Sequence, residues 1–201
     1  ERAGFFILIS SMLGLVQMAG GGAFHAPAVQ KLAKISLKYE NKNFHETIRT
    51  VISANILVGL PFALAVIFAF PTLFSWSQLD EIYRYNAQIV VLFISVAFIL
   101  NQYSSSLTAL YEGLQRFDLV AILKIIFGVF GNLAKLITLI YFPNMISLAF
   151  VIVSIAFIRL LIDILMVYKL IGGGVFPGWS LDALKPLLTF GLWNWLTNTG
   201  N

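Results

Sequence analysis

Residues 50–74 carry no Asp, Glu, Lys or Arg, and the same holds for residues 3–29 and 85–111. Wound as an α-helix at about 1.5 Å per residue, stretches of this length cross the roughly 30 Å hydrocarbon core of a bilayer. A fourth apolar run, residues 119–142, encloses Lys124 and Lys135, and a fifth, after Pro143 and Asn144 and as far as Tyr168, encloses Arg159 and Asp163. A sixth begins near Leu184, beyond Gly172, Gly173, Gly174, Pro177 and Gly178. With 11% charged residues against 59% hydrophobic ones, the chain cannot build the surface of a soluble domain, in which about a quarter of residues are charged. The expected fold is all-α, a polytopic transmembrane helix bundle of about six spanning helices.

Cysteine is absent, which excludes disulfides, thiolate metal sites and cysteine nucleophiles. His25 and His45 are the remaining nitrogen ligands, so no metal and no cofactor are expected. The net charge of +4 does not call for nucleic acid, because the basic residues fall in turns between apolar runs, where membrane topology accounts for them. The chain opens at Glu1 without a Met and stops at Asn201 inside an apolar run, so both ends are expected to be cut.

Local signals refine the runs. Gly20, Gly21, Gly22 and Pro27 interrupt the first one and predict a break, after which Lys31, Lys34 and Lys38 recur on one face of an amphipathic continuation along the membrane surface. Pro61 predicts a bend in the second run. The third carries Asn101, Gln102, Tyr103, Ser104, Ser105 and Ser106, a cluster that belongs against other helices or water rather than lipid. In the fourth, Gly128 and Gly131 permit close helix approach. Alternate turns hold Lys31, Lys34, Lys38, Lys42 and Arg49, then Arg116 and Lys124, then Lys169 and Lys185, whereas the opposite turns offer only Arg2 and Arg84. This bias places the 39–47, 112–118 and 170–183 connections in the cytoplasm.

Three ionisable residues fall at membrane depth, where a charge costs several kcal/mol. Arg159 and Asp163 are four apart on one helix and can pair. Lys135 has no acidic residue within a helical turn. Two fixed cations beside a wet cavity would attract an anion such as a phosphate or pyrophosphate, the arginine as a fork and the lysine as a point charge. Snorkelling of Lys135 to the outer interface is the alternative. Gln17, Asn55, Asn101, Gln102, Asn132, Asn194 and Asn198 can hydrogen-bond sugar hydroxyls in such a cavity or join helices to one another. His25 is read as structural and His45 as a solvated loop residue. No HExxH, GxxxxGK[ST] or GxSxG pattern is present, and the bundle has no pair of carboxylates for acid–base work, so no catalytic residues are expected.

The turn Glu112-Gly113-Leu114-Gln115-Arg116-Phe117-Asp118-Leu119 resembles the cytoplasmic turn of bacterial polysaccharide-biosynthesis flippases, which handle O-antigen and other lipid-linked oligosaccharides. These belong to the multidrug/oligosaccharidyl-lipid/polysaccharide exporter superfamily. Leu13-Gly14-Leu15 and Ala26-Pro27-Ala28, before a continuation ending near Lys38-Tyr39, are similar to the family's opening hairpin. Phe190-Gly191-Leu192-Trp193-Asn194-Trp195 is similar to the beginning of its seventh helix. The likeness covers helices two to seven. It departs from the family pattern in lacking the usual first helix and nearly all of the second lobe, and in the glycine-rich stretch at residues 20–22.

The resemblance implies most of the N-terminal lobe of a two-lobed transporter over residues 1–183, with residues 184–201 opening the helix that leads to the second lobe. It further implies a multi-pass protein of the bacterial inner membrane, not an enzyme. Such a protein flips a lipid-linked oligosaccharide, carried on undecaprenyl pyrophosphate, to the outer face for surface-polysaccharide or lipopolysaccharide assembly. Its expected partners are that substrate, the bilayer, the polysaccharide-assembly machinery and, where transport is coupled, an ion. Lys135 and Arg159 are the expected headgroup contacts, Asp163 an ion-pair or cavity residue, and Gly20, Gly21, Gly22, Pro27 and Pro61 the expected hinges. The competing readings are a cation-coupled multidrug antiporter of the same superfamily and a membrane enzyme of polysaccharide assembly.

Overall fold

The computed structural model describes residues 25–35, 42–76, 84–172, 176–181 and 184–185. Within these the order is α1 (His25–Ile35), α2 (Lys42–Trp76), α3 (Arg84–Gly113), α4 (Phe117–Tyr141) and α5 (Met145–Ile171), with no strand among the described residues. Four helices are long and apolar enough to cross a membrane, over Phe44–Thr72, Arg84–Gly113, Phe117–Tyr141 and Met145–Ile171. They match the second to fifth apolar runs. The first run up to residue 24 and nearly all of the sixth lie outside the described residues, as do Gln17, Gly20, Gly21, Gly22, Asn194 and Asn198.

One boundary differs from expectation. Helix α2 starts at Lys42 rather than near residue 50 and takes in His45, Glu46 and Arg49. Its added turns bury Phe44, Thr47 and Ile48 against the neighbouring helices, so apolar contacts carry the helix beyond the uncharged stretch. His45 is therefore a half-buried helical residue, its ring edge-on to Phe44 at 6.0 Å between centroids, and not a solvated loop residue. Pro61 and Pro71 both fall inside α2, which continues as one helix through them. Pro27 occupies the first turn of α1, where an absent N–H costs no intrahelical bond.

Helix α3 is the hub. It packs on α2, on α5 and on α1, while α4 leans mainly on α5. Phe44, Ile48, Ile52, Leu107, Leu110, Leu160 and Val167 close the core at the 112–118 end. Phe70, Phe74, Val90, Val91 and Ala149 close a second cluster at the opposite end. Outward-facing residues such as Leu57, Phe68, Ile125, Phe130 and Leu165 are exposed and apolar, as a lipid-facing surface demands.

The connections from α3 to α4 and from α4 to α5 are short. After α3, Gln115 adopts a left-handed φ of 58°, and the Arg116 N–H donates to the Tyr111 carbonyl at 2.8 Å, tying off the helix C-terminus. Arg116 then forks onto Asp118 with two 3.0 Å bonds, at the start of α4. Asn144 caps α5 by accepting from the Ile146 N–H at 3.1 Å, and Gly172 ends α5 at φ 72°. The 176–181 segment returns to α2. There Ser53 Oγ donates to the Gly178 carbonyl at 3.0 Å and accepts from its N–H at 2.8 Å, and Ser180 N–H donates to Thr50 Oγ1 at 3.1 Å.

Glycines mark where helices touch. A Cβ on Gly113 would lie 2.7 Å from Leu32 Cβ, so α1 crosses the end of α3 at a distance only glycine allows. A Cβ on Gly131 would meet Ile155 at 3.6 Å, while one on Gly128 would meet nothing within 4 Å. Of the two glycines expected to admit a neighbour, Gly131 does so. Gly113→Ala is accordingly expected to destabilise the intact protein by about 1–3 kcal/mol, the usual range for overpacking. Gly128→Ala is expected to be neutral or to stabilise by up to about 1 kcal/mol through helix propensity. Thermal unfolding in detergent, read by loss of monodisperse protein, distinguishes the two.

Candidate functional site

The polar residues of the third run converge on the seams between α3 and its neighbours. Helical spacing puts Gln102 and Ser106 towards α2. Asn55 Nδ2 donates to Ser106 Oγ at 2.8 Å, and Ser106 Oγ donates to the Gln102 carbonyl at 3.1 Å. Asn55, Gln102 and Ser106 are all buried. A Cβ on Gly59 would lie 3.0 Å from Gln102 Cγ, so that glycine makes room for the glutamine. The Asn55–Ser106 bond joins α2 to α3, whereas the bond to the Gln102 carbonyl lies within α3. Asn101 is half-buried beside them.

On its opposite side α3 meets Asp163. The Tyr111 hydroxyl, fully buried, donates to the Asp163 backbone carbonyl at 2.9 Å. The Asp163 side chain is 0% exposed, and Arg159 one turn away brings Nε to 3.7 Å from Oδ2 with 27% of its own side chain exposed. That separation is an ion pair without a hydrogen bond. Both carboxylate oxygens, Arg159 Nε and Ser104 Oγ are buried with no well-aligned hydrogen-bond partner among the described residues.

Lys135 stands apart. The packed stripe of α4 is Val120, Leu123, Gly131 and Thr138, and Lys135 falls on its edge, half-buried, with no ion pair or hydrogen bond among the described residues. At about 1.5 Å per residue it lies roughly 27 Å along α4 from Phe117, and Arg159 roughly 18 Å along α5 from Ile171, an offset of roughly 9 Å in depth. Asn132, also considered for a cavity, points out from α4 and is exposed. Near the 142–144 turn an open groove of about 520 Å³ runs between α3, α4 and α5, lined by Phe93, Thr138, Phe142, Ser147 and Phe150 among others. It is largely apolar, and neither Lys135 nor Arg159 lines it.

Sequence reasoning passed over a second charged cluster. Glu112 Oε2 lies 2.9 Å from His25 Nε2, and its Oε1 lies 3.8 Å from Lys124 Nζ. One carboxylate thus ties the start of α1 to the end of α3 and to α4, and His25 is structural in this sense. The available signal was an acidic residue in a turn flanked by basic ones, but His25 is 87 positions away and only folding brings it in. No group of three or more His, Cys, Asp or Glu able to hold a metal occurs among the described residues.

Removing the Asn55–Ser106 bond tests its role as a helix joint. A cycle of Asn55→Leu, Ser106→Ala and the double substitution is expected to give a coupling of about 0.6–1.7 kcal/mol in unfolding free energy, the range measured for interhelical hydrogen bonds in membranes. A coupling near zero would remove the bond's role as a helix joint.

No curated protein and no solved structure matches the chain. The family described as polysaccharide biosynthesis protein matches residues 32–201, a stretch that takes in all four long helices and the 112–119 turn. A bundle of apolar helices with cations at lipid depth therefore has a family: the chain belongs to the polysaccharide biosynthesis proteins.

Proposed function

We propose that the intact protein is a flippase that carries a lipid-linked oligosaccharide, with an undecaprenyl-pyrophosphate anchor, across the bacterial inner membrane for surface-polysaccharide or lipopolysaccharide assembly. The observation that carries this reading is Lys135, a half-buried lysine at lipid depth without an acidic partner among the described residues. A cation held there is costly unless something anionic visits it. Arg159 supports the same reading, because part of its guanidinium-bearing side chain remains exposed beside Asp163. A pyrophosphate offers the oxygen geometry that an arginine fork and a lysine point charge recognise. Membership of a polysaccharide biosynthesis family supplies the class of cargo.

In this reading the protein moves its substrate without making or breaking bonds, and its partners are the lipid-linked sugar, the bilayer and the enzymes that build and polymerise the chain. The role of Gly20, Gly21, Gly22, Pro27 and Pro61 as hinges of a rocking lobe belongs to the same proposal. The antiporter alternative draws on one observation, the fully buried carboxylate of Asp163. Arg159 beside it offsets that negative charge and disfavours a cationic drug.

Lys135→Ala and Arg159→Ala in the intact protein are each expected to lower surface polysaccharide by roughly tenfold or more at unchanged protein level, because a hydrogen bond to a charged group contributes roughly 1.5–3 kcal/mol. Lys135→Arg is expected to retain export. Normal export from both alanine variants, measured by polysaccharide staining of intact cells, would remove the basis of the proposal.

A further inference from the structure

The seam between α3 and α5 encloses a carboxylate for which the described residues form no well-aligned hydrogen bond. Asp163 is 0% exposed and Ser104 1%, and among the described residues neither Asp163 oxygen nor Ser104 Oγ has a well-aligned hydrogen-bond partner. The groups facing the carboxylate are Arg159 from its own helix and Ser104 and Tyr111 from α3; no other charged group faces it among the described residues. Tyr111 is already committed to the Asp163 backbone carbonyl. What remains is the Ser104 hydroxyl on one side and a guanidinium at 3.7 Å on the other.

A carboxylate buried this fully is costly to keep charged, and Arg159 is the one charged group among the described residues that offsets it. Arginine does not surrender its own proton. Any anion that engages the exposed side of Arg159 therefore competes with Asp163 for the same cation. We propose that Asp163 is a proton-binding site governed by Arg159: ionised while the guanidinium faces it, and protonated when an anion draws the guanidinium away. One proton from a hydronium ion forms one O–H bond on the carboxyl and leaves a water molecule, and the new O–H donates to Ser104 Oγ. Anion binding at Arg159 and proton uptake at Asp163 then favour each other reciprocally. The coupling rests on the reading of Arg159 as an anion contact, whereas the proton site itself does not.

The test reads the two apart in the intact protein reconstituted into liposomes. Infrared spectra at neutral pH are expected to show a protonated-carboxyl band in Arg159→Ala that is missing from the wild type and from the Arg159→Ala/Asp163→Asn double variant. Ser104→Ala, a milder change, is expected to shift that band in the Arg159→Ala background. Absence of the band from Arg159→Ala overturns the proton site. For the coupling, the probe is P1,P2-dimethyl pyrophosphate, whose two acidic groups stay ionised throughout. Its affinity for the wild type is expected to weaken about tenfold per pH unit where Asp163 loses its proton, and Asp163→Asn to abolish that slope. A wild-type affinity that does not vary with pH overturns the coupling. If the band appears but the probe does not bind, the proton site stands and the cargo reading falls.

Discussion

A polar group at lipid depth must find its partner inside the protein, because hydrocarbon offers none. Helix α3 is where this requirement is met. It faces Asn55 of α2 with Ser106, faces the Asp163 carbonyl of α5 with the Tyr111 hydroxyl, and receives α1 across Gly113. Apolar burial does little to hold helices together in a medium as apolar as leucine, so close packing and these few bonds determine which helices are neighbours. Helix α4 shows the converse. Its residues are almost uniformly apolar, Gly131 and Thr138 lie on its packed stripe, and most of its surface remains exposed.

The turn that carries the family likeness serves assembly. Gly113 admits α1, Gln115 takes the left-handed conformation that closes the helix, and Arg116 and Asp118 clasp each other as α4 begins. Glu112 gathers His25 and Lys124 onto the same junction. A run of eight residues thus fixes three helices relative to one another, which gives it a physical reason to keep its pattern irrespective of the cargo. The residues proposed to meet cargo lie elsewhere, on the middle of α5 and the far third of α4, with no tight motif around either.

The Arg159–Asp163 pair unites the structural and functional arguments. Four positions apart on one helix, the two are held on one face by the backbone, yet their 3.7 Å separation stops short of a hydrogen bond. A pair joined by charge alone can exchange partners at lower cost than one locked by a bidentate clasp such as Arg116–Asp118. Lys135, roughly 9 Å away in depth by helical rise, has no such companion among the described residues.

By itself the sequence determined that the chain is helical and membrane-sized, which runs form the long helices, that Arg159 and Asp163 share a face, and that the 101–106 cluster avoids lipid. These follow from local rules: charge-free length, the 3.6-residue period and the cost of polar groups in hydrocarbon. Only the tertiary structure decided that Ser104, of three adjacent serines, lies beside Asp163, that Asn132 faces out, that Gly131 rather than Gly128 touches α5, and that Glu112 finds His25. The physical reason is that periodicity assigns a residue to a face of its own helix, whereas the rotation of that helix about its axis is set by the neighbours it packs against.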